Sequence, residues 1–247
     1  MSDRRIAGLG ALIAMLAVVL PFEVGAEPRA VVELFTSQGC SSCPAADQLL
    51  GELSKDPDLL ALSMPIDYWD YLGWKDTLAD ARHSARQKAY SHMRGDRGVY
   101  TPQIVINGIA QAPGSDKNAI ERAVAQSRRN AAILSVPVTL SIDKGAVTVK
   151  TSGSPTDPRT AEVWLCPLTR AIQVHIGRGE NRGKTVTYTN VVRGWIKLGT
   201  WSGKDETWNV PIGDLESSGA DALAVLVQNG TPDKPGAMIG AALTAIR

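Results

Sequence analysis

The sequence is poor in cysteine, in histidine and in any surplus of one charge, and each shortage excludes a class of protein. Three cysteines among 247 residues are too few for a disulfide scaffold or a four-thiolate zinc site. Three histidines leave little material for a metal enzyme. The 26 Lys and Arg residues nearly balance the 25 Asp and Glu residues, which argues against nucleic acid as a partner because phosphate binding needs an excess of basic side chains.

The remaining composition is that of an ordinary globular protein. Hydrophobic residues make up 44% of the chain and charged residues 21%, whereas disordered chains have fewer of the first and more of the second. At about 100–150 residues per domain, the length allows one large domain or two small ones.

The longest uncharged apolar run lies at the N-terminus and predicts a signal peptide. Arg4 and Arg5 precede the run at residues 6–20, Pro21 ends it, and small residues at positions 24–26 suit signal peptidase. Fifteen helical residues reach about 22 Å, short of the ~30 Å hydrocarbon core, although an uncleaved anchor stays an alternative. We expect residues 1–26 to be removed and the mature chain to be periplasmic or secreted, with no stable membrane insertion.

Residues 27–130 alternate short apolar runs with helical patterns. The Asn107-Gly108 pair between two apolar runs is a strong hairpin signal, because both residues tolerate positive φ. The predicted elements are strands at residues 31–35, 59–66, 103–106 and 109–110, and helices at residues 45–53, 76–94 and from Ser115 or Asp116 to residue 126. The order β-α-β-α-β-β-α indicates an α/β layer structure with a terminal hairpin.

Residues 131–247 have a different texture, with short apolar runs separated by Gly, Pro, Asp and Asn. The predicted strands are residues 136–142, 146–151, 161–168, 171–176, 186–192, 195–201, 206–211, 222–228 and 237–245. This many short strands predicts a second, all-β domain that resembles a sandwich.

The chemistry is concentrated in a Cys-x-x-Cys motif, Gly39-Cys40-Ser41-Ser42-Cys43-Pro44, between the first predicted strand and the first predicted helix. At a helix N-terminus, unpaired N–H groups and the helix dipole favour an anion, so the pKa of the first thiol falls. We expect Cys40 to be exposed and to attack disulfides, and Cys43 to lie shielded one turn inside and to resolve the mixed disulfide. Pro44 fits the first helical turn, where its missing N–H costs nothing.

Other interpretations of the cysteines stay open. The pair forms either a redox site, an inert structural disulfide or a soft-metal site for Cu(I), which thiolates suit. Cys166 lies in an apolar strand and is expected to be a buried small hydrophobic residue. His83 and His92 are nine residues apart on a predicted helix and do not share a face, so we expect both at the surface.

Two segments resemble thioredoxins, and especially glutaredoxins. Residues 32–43 are similar to their first strand and active-site turn, and TPQIVING at residues 101–108 with Gly114-Ser115-Asp116 is similar to the cis-proline segment and the glutathione-contacting loop of glutaredoxins. The resemblance implies a mixed four-stranded sheet and a cis Pro102 facing the disulfide. It also implies that the backbone of Thr101 pairs with a bound peptide and that Ser115 and Asp116 contact glutathione. One extra residue before Gly114 departs from the glutaredoxin pattern.

A resemblance over nearly the whole mature chain rests on longer strings. VELFTSQGCSSCPAAD at residues 32–47, DYWDYLGWKD at residues 67–76 and RGEN at residues 178–181 are similar to an exported bacterial family known only as a domain of unknown function. That resemblance implies a thioredoxin-like domain over residues 27–130 and a β-rich domain over residues 131–247.

Several polar and aromatic residues have alternative roles. The aromatic cluster at residues 68–74 forms either core packing or a groove for an apolar peptide. Asp67 and Asp70 are candidates for proton transfer to the buried thiol, but loop or capping roles are expected, and Glu33 is a candidate for the acid beneath Cys43.

Residues 177–185 superficially match a phosphate-binding loop. The first required glycine position holds Arg178, and strands rather than a helix follow, so we reject that function. Arg178, Arg182 and Lys184 are then expected to form an exposed basic loop of the sandwich.

The sequence therefore predicts an exported thiol–disulfide exchange protein. Cys40 is the expected nucleophile, Cys43 the resolving thiol, and Pro102 shapes the site, while no cofactor and no resident metal are expected. The expected partners are protein or small-molecule thiols and disulfides, glutathione included. A copper- or ligand-binding module on the same scaffold and a non-catalytic interaction protein with a permanent disulfide are the alternatives.

Overall fold

The first half of the chain alternates strands and helices in the computed structural model, which describes residues 27–154, 159–216 and 219–246. The predicted signal peptide at residues 1–26 lies outside the described residues. The elements are β1 (Ala30–Thr36), α1 (Cys43–Leu53), β2 (Leu59–Pro65), α2 (Ala81–Arg94), β3 (Gln103–Ile106), β4 (Ala110–Pro113) and α3 (Lys117–Ser127). None of the helices in the described part of the chain is long and apolar enough to cross a membrane.

Helix α2 begins at Ala81, later than the predicted start at residue 76. The side chain of Asp80 accepts a hydrogen bond from the Arg82 N–H and caps the helix there. Residues 76–79 lack this helical conformation, and Asp76 instead contacts the turn that carries the cysteines.

The four strands of the first half lie in the order β2-β1-β3-β4. Strand β1 is parallel to β2 and antiparallel to β3, which forms a hairpin with β4. Helices α1 and α3 pack on one face of these strands, where Leu34, Leu50 and Ile120 are buried together. Helix α2 packs on the other face, where Phe35 and Tyr90 are in edge-to-face contact. This arrangement places the β1–α1 turn at one end of the sheet.

The second half consists mainly of strands. They are β5 (Val138–Asp143), β6 (Ala146–Thr151), β7 (Ala161–His175), β8 (Thr185–Val192), β9 (Ile196–Trp201), β10 (Glu206–Pro211), β11 (Ala222–Thr231) and β12 (Lys234–Ala245), with a short helix α4 (Gly213–Glu216). β7 is a single strand where the sequence predicted two, because it pairs with β11 up to Leu168 and with β8 from there to His175. The sheet β10-β6-β5 packs on β7 and β11 through Leu140, Val149 and Val225.

The larger sheet runs through both halves of the chain. Its order is β12-β11-β7-β8-β2-β1-β3-β4, and β9 also pairs with β7. The junction is parallel pairing of β2 with β8 at Ser63 and Val191, supported by a 2.9 Å hydrogen bond from the Asn190 side-chain amide to the Ala61 carbonyl. The boundary predicted near residue 130 therefore does not interrupt this sheet.

Candidate functional site

The two cysteines close a tight turn between β1 and α1, residues 37–43, which we call the Cys turn. Cys40 and Cys43 form a disulfide with a Cα–Cα distance of 5.4 Å. The Cys40 N–H donates to the Ser37 carbonyl, and the Cys43 N–H donates to the Cys40 carbonyl, each at 3.2 Å. The Ser42 hydroxyl lies 3.4 Å from the Cys40 Sγ. Helix α1 starts at Cys43, so the predicted position of the pair at a helix N-terminus is confirmed.

The exposure of the cysteines differs from the expectation. Cys43 is fully buried, as expected, but Cys40 is only 5% exposed rather than open to solvent. The neighbouring Ser41 and Ser42 are exposed, so the turn itself reaches the surface. The covering groups come from two segments, of which the sequence analysis connected only the aromatic one with the cysteines.

The first covering segment is the loop between β7 and β8, residues 177–183, which we call the Asn181 loop. Asn181 is fully buried, and its side-chain amide donates to the carbonyls of Cys40 at 2.7 Å and Gln38 at 2.9 Å. Glu180 accepts a 3.3 Å hydrogen bond from the Ser41 N–H. Arg178 is exposed, as expected. The loop is nevertheless part of the Cys turn's surroundings and not a remote feature of the second half.

The second covering segment is the aromatic stretch after β2. The Trp74 indole N–H donates to the Gln38 side-chain carbonyl at 2.8 Å, and Asp76 accepts from the Gln38 N–H at 2.8 Å. Cβ atoms added to Gly177 and Gly179 would lie 3.2 and 3.3 Å from Trp74 atoms, so the Asn181 loop packs directly on this indole. Gln38 is thereby held by four side chains from two distant segments, those of Trp74, Asp76, Thr77 and Asn181.

Trp69 joins the Cys turn to the Thr101-Pro102 segment. A Cβ on Gly39 would lie 3.2 Å from Trp69 atoms, and the Trp69 indole N–H donates to the Thr101 hydroxyl at 2.7 Å. Tyr71, whose ring stacks on Trp69 at 6.2 Å, is 76% exposed. The aromatic cluster therefore combines partly buried packing with an exposed face on the side of the Cys turn.

Pro102 lies in the expected conformation, since the Thr101-Pro102 peptide bond is cis. The Gly114 N–H donates to the Pro102 carbonyl at 2.9 Å. A Cβ on Gly114 would lie 2.7 Å from the Pro102 Cβ and 3.1 Å from the Ala46 Cβ, so only glycine fits between Pro102 and α1. The structure thus brings Pro102 against the helix that begins at Cys43.

Ser115 and Asp116 follow Gly114 and are exposed. Asp116 accepts a 2.9 Å hydrogen bond from the Ala119 N–H and caps α3. Contact of either side chain with glutathione stays a prediction.

Asp47 is a buried carboxyl that the sequence analysis missed. It lies one turn after Cys43 in α1, is 2% exposed, and neither of its oxygens has a hydrogen-bond partner among the described residues. Burial raises its pKa to about 8; the nearby Thr36 hydroxyl opposes this shift and the negative charge of Asp76 adds to it. The sequence did contain a signal for this buried acid. Asp47 lies within the apolar stripe of α1 and four residues after Cys43, a spacing at which helical side chains are neighbours.

The three acids singled out from the sequence have other partners. Glu33 is buried on the α2 side, where it accepts from Arg86 and from the Tyr90 hydroxyl, each at 2.7 Å. Asp67 accepts from the Ser84 hydroxyl, and Asp70 accepts from a backbone N–H of the aromatic stretch. Asp47 is therefore the better candidate for the acid beside Cys43.

His83 is another correction, because it is fully buried rather than at the surface. Its Nδ1 lies 3.0 Å from the Pro65 carbonyl, and burial lowers its pKa to about 4. His92 is exposed, as expected. Cys166 is free and fully buried, and burial raises the pKa of its thiol to about 12.

A cavity of about 250 Å³ lies elsewhere, between α2 and the β7 and β11 strands. Its lining includes Arg82, Arg86, Trp164 and Trp195 but no residue of the Cys turn. In the described part of the chain, no group of three or more His, Cys, Asp or Glu residues is placed to hold a metal ion.

Comparison with known proteins gives a family and structural neighbours. The family described as "Protein of unknown function (DUF1223)" matches residues 31–228. A crystal structure from Agrobacterium tumefaciens is 32% identical, with a TM-score of 0.80 over 89% of this chain and 95% of that chain. HBP35 of Porphyromonas gingivalis is 11% identical, with a TM-score of 0.59 over 89% of this chain and 76% of that chain, which is a likeness of fold alone. No curated protein matches the sequence.

Proposed function

Since the chain belongs to the DUF1223 family, whose description assigns no activity, we propose a function from the site: exchange of thiols and disulfides by Cys40 and Cys43. The observation that carries the proposal is the disulfide in the Cys turn at the start of α1, with a buried carboxyl one turn further along that has no hydrogen-bond partner among the described residues. A purely structural staple needs no such acid.

The first step uses Cys40, the less buried sulfur of the pair. In the reduced protein, the Cys40 thiolate attacks a partner's disulfide, so a Cys40–partner bond forms and the partner's other sulfur leaves as a thiolate. Cys40 lies in the turn before α1, and this position supports its role as the nucleophile because N–H groups at the start of a helix stabilise a thiolate anion. Access and thiolate fraction together set the rate of such an attack.

The second step uses Cys43. Its thiolate attacks the Cys40 sulfur, the Cys40–Cys43 disulfide forms, and the partner leaves with its second thiol. The protein is oxidised by two electrons and the partner is reduced by the same two. The reverse sequence oxidises a dithiol partner.

We propose that Asp47 exchanges the proton of Cys43 in this second step. Cys43 is fully buried and needs a local proton acceptor to become a thiolate. A carboxyl with a pKa near 8 accepts and returns a proton close to neutral pH, as a general base should. Its position at i+4 on the same helix places the two side chains on one face.

The partner is proposed to bind between Thr101 and the exposed ring of Tyr71. Trp69 connects these two residues through its hydrogen bond to Thr101 and its stacking with Tyr71. We keep Thr101, Ser115 and Asp116 as proposed contacts for a peptide or glutathione. The exposed aromatic ring of Tyr71 on this side of the molecule favours a flexible protein segment as the partner.

A thioredoxin-like origin of the first half and export of the protein belong to the same proposal. The strand order β2-β1-β3-β4, with α1 and α3 on one face and α2 on the other, supports the first. A reactive disulfide persists in an oxidising compartment, which together with the N-terminal signal pattern supports the second.

The test is to trap partners on each cysteine separately. Cys43→Ala should accumulate mixed disulfides on Cys40, because the resolving thiol is gone, whereas Cys40→Ala should accumulate none. Each variant is expressed in an exporting cell, quenched with acid and an alkylating agent, and run on non-reducing gels. Equal trapping by both variants would contradict the assignment of the nucleophile.

The redox potential of the pair separates exchange from a structural disulfide. Exchange proteins lie at about −120 to −270 mV, and structural disulfides generally lie below about −300 mV. A value in the second range, together with no trapped partner, would refute the proposed function. Stoichiometric Cu(I) binding by the reduced pair without exchange would instead support the metal-binding alternative.

A further inference from the structure

We propose that Glu180 of the Asn181 loop tunes the reactivity of Cys40, so that the second half of the chain sets the redox behaviour of the first. The inference deepens the proposed function and rests on the Cys pair being reducible. Glu180 accepts the Ser41 N–H at 3.3 Å, although the two residues are 139 positions apart in the chain.

The Glu180 carboxylate lies at the backbone N–H that would stabilise the Cys40 thiolate. Ser41 directly follows Cys40 and directly precedes Ser42, the N-cap residue of α1, so its N–H lies in the turn before the helix, at the positive end of the helix dipole that favours an anion. In the oxidised protein the sulfur is neutral, and Glu180 occupies this donor. After reduction, the thiolate and the carboxylate compete for the same N–H and repel each other.

The loop holds Glu180 at this position by neighbouring contacts. Asn181 is fully buried and donates to two carbonyls of the Cys turn, and Lys184 donates to the Asn181 side-chain oxygen at 2.9 Å. Trp74 packs against the glycines on the N-terminal side of Glu180. The backbone that bears the Glu180 carboxylate is therefore fixed on both sides by the contacts of Asn181 and of the glycines.

Other charges also face the Cys turn and define the controls. Asp76 accepts the Gln38 N–H, and Asp47 lies below Cys43 in α1, so both are acids on the protein side of the turn. The cations are Lys184, Arg178 and Arg182, all of them exposed residues in or next to the Asn181 loop. Neutralising an arginine should act in the opposite direction to neutralising Glu180.

The test compares Glu180→Gln with Glu52→Gln in the Cys43→Ala background, where Cys40 is the sole accessible thiol. Glutamine still accepts the Ser41 N–H, so the variant removes the charge and keeps the hydrogen bond. Glu52 is exposed at the far end of α1, roughly 14 Å away by helix rise and beyond the ~10 Å Debye length at 0.1 M salt. The readout is the rate of alkylation of Cys40 against pH.

We expect Glu180→Gln to lower the thiol pKa of Cys40 by roughly half a unit, the size typical of one exposed charge at a helix end. Glu52→Gln should leave it unchanged, Arg178→Gln should raise it, and the Glu180 effect should shrink in 1 M salt. With both cysteines present, Glu180→Gln should raise the equilibrium constant for reduction by dithiothreitol up to about threefold.

Equal pH profiles for Glu180→Gln and Glu52→Gln would overturn the inference, as would a shift that does not respond to salt. An unchanged urea midpoint for the oxidised Glu180→Gln protein shows that the fold is retained. The alkylation profile needs no partner protein, so it reports on Glu180 even where partner trapping fails, and the two proposals fail separately.

Discussion

Among single residues, the carboxyls around the Cys turn show how burial and hydrogen bonding set their protonation. Asp76 is 4% exposed and accepts from the backbone of Gln38 and Leu78, and its pKa is raised to about 6, mainly by burial. Asp47 is more deeply buried and has no such donors among the described residues, and its pKa is raised further, to about 8. Deeper burial and the lack of backbone donors together account for the higher pKa of Asp47.

Asp47→Asn should stabilise the oxidised protein at pH 8 and leave its stability unchanged at pH 4. The folded protein holds a proton on Asp47 up to about pH 8, whereas the unfolded chain releases it near pH 3.8. The wild type therefore loses about 1.4 kcal/mol per pH unit between these values, and the asparagine variant does not. Urea unfolding of both proteins from pH 4 to 8 measures this difference. If the free energies of unfolding of the two proteins changed in parallel with pH, the raised pKa of Asp47 would be contradicted.

The same substitution should slow the second step of exchange. With no carboxyl to accept its proton, Cys43 of Asp47→Asn should resolve mixed disulfides about 10²–10⁴-fold more slowly near pH 7, the range typical of a lost general base. Alkylation of Cys40 should stay unchanged. Stopped-flow resolution of a preformed Cys40 adduct tests this, and an unaltered pH profile would assign Asp47 a structural role alone.

Cys166 should resist modification in the native protein. It is fully buried, and the pKa of its thiol is raised to about 12, so both access and thiolate fraction are low. The oxidised protein should take up no maleimide when folded and one label per chain in denaturant, as mass spectrometry would show. Rapid labelling of the folded protein, or a disulfide-linked dimer, would contradict this prediction.

At the scale of elements, the environment of the Cys turn is built by loops far apart in sequence. The aromatic stretch after β2 and the Asn181 loop meet on Gln38, which is fully buried. Strand β8 also covers α1, since a Cβ on Gly51 would lie 3.2 Å from the Thr189 hydroxyl. These contacts explain why Cys40 and Asp47 are both shielded although α1 begins at the surface.

Asn181→Ala should destabilise the protein by roughly 1–3 kcal/mol, because the buried carbonyls of Gln38 and Cys40 lose their amide donor. It should also expose the disulfide and speed its reduction by a phosphine. Asn118→Ala, at an exposed position of α3, is the matched control. Urea unfolding and reduction rates measure both effects, and unchanged reduction kinetics would show that the loop does not shield the Cys turn.

At the scale of the whole molecule, the continuous sheet joins the two halves of the chain. Strand β2 lies between β1 and β8, so neither half has a free edge at the junction. Phe35 and Met64 of the first half share a core with Cys166 and Leu226 of the second. The second half thereby supports the sheet that carries the Cys turn.

The two halves should unfold in one cooperative transition. Amides in the centres of β1 and β11 should exchange hydrogen with the same opening free energy, because losing either half leaves the other with an exposed apolar surface and an unpaired strand. Native-state hydrogen exchange with peptide-level mass spectrometry measures both sites. Two distinct free energies separated by several kcal/mol would indicate independent domains.

Local sequence patterns determined most of the elements and the position of the Cys pair. Alternation and helical spacing depend on residues a few positions apart, so β1, α1 and the hairpin that turns at Asn107 follow from the sequence, as does the burial of Cys166. The start of α2 was missed because Asp80 is the cap, and β7 was divided because its pairing changes partners along its length. Such features depend on competing caps and on which strands are neighbours.

Only the tertiary structure decided what surrounds the cysteines. Glu180 and Asn181 come to the Cys turn because β7 and β8 continue the sheet beyond β2. Asp47 is buried in α1, the helix on which β8 packs through Thr189. No periodicity near residue 40 contains that information, since the contacts join segments about 140 positions apart. A side chain's charge and type are properties of the sequence, but its solvation depends on the distant chain packed against it.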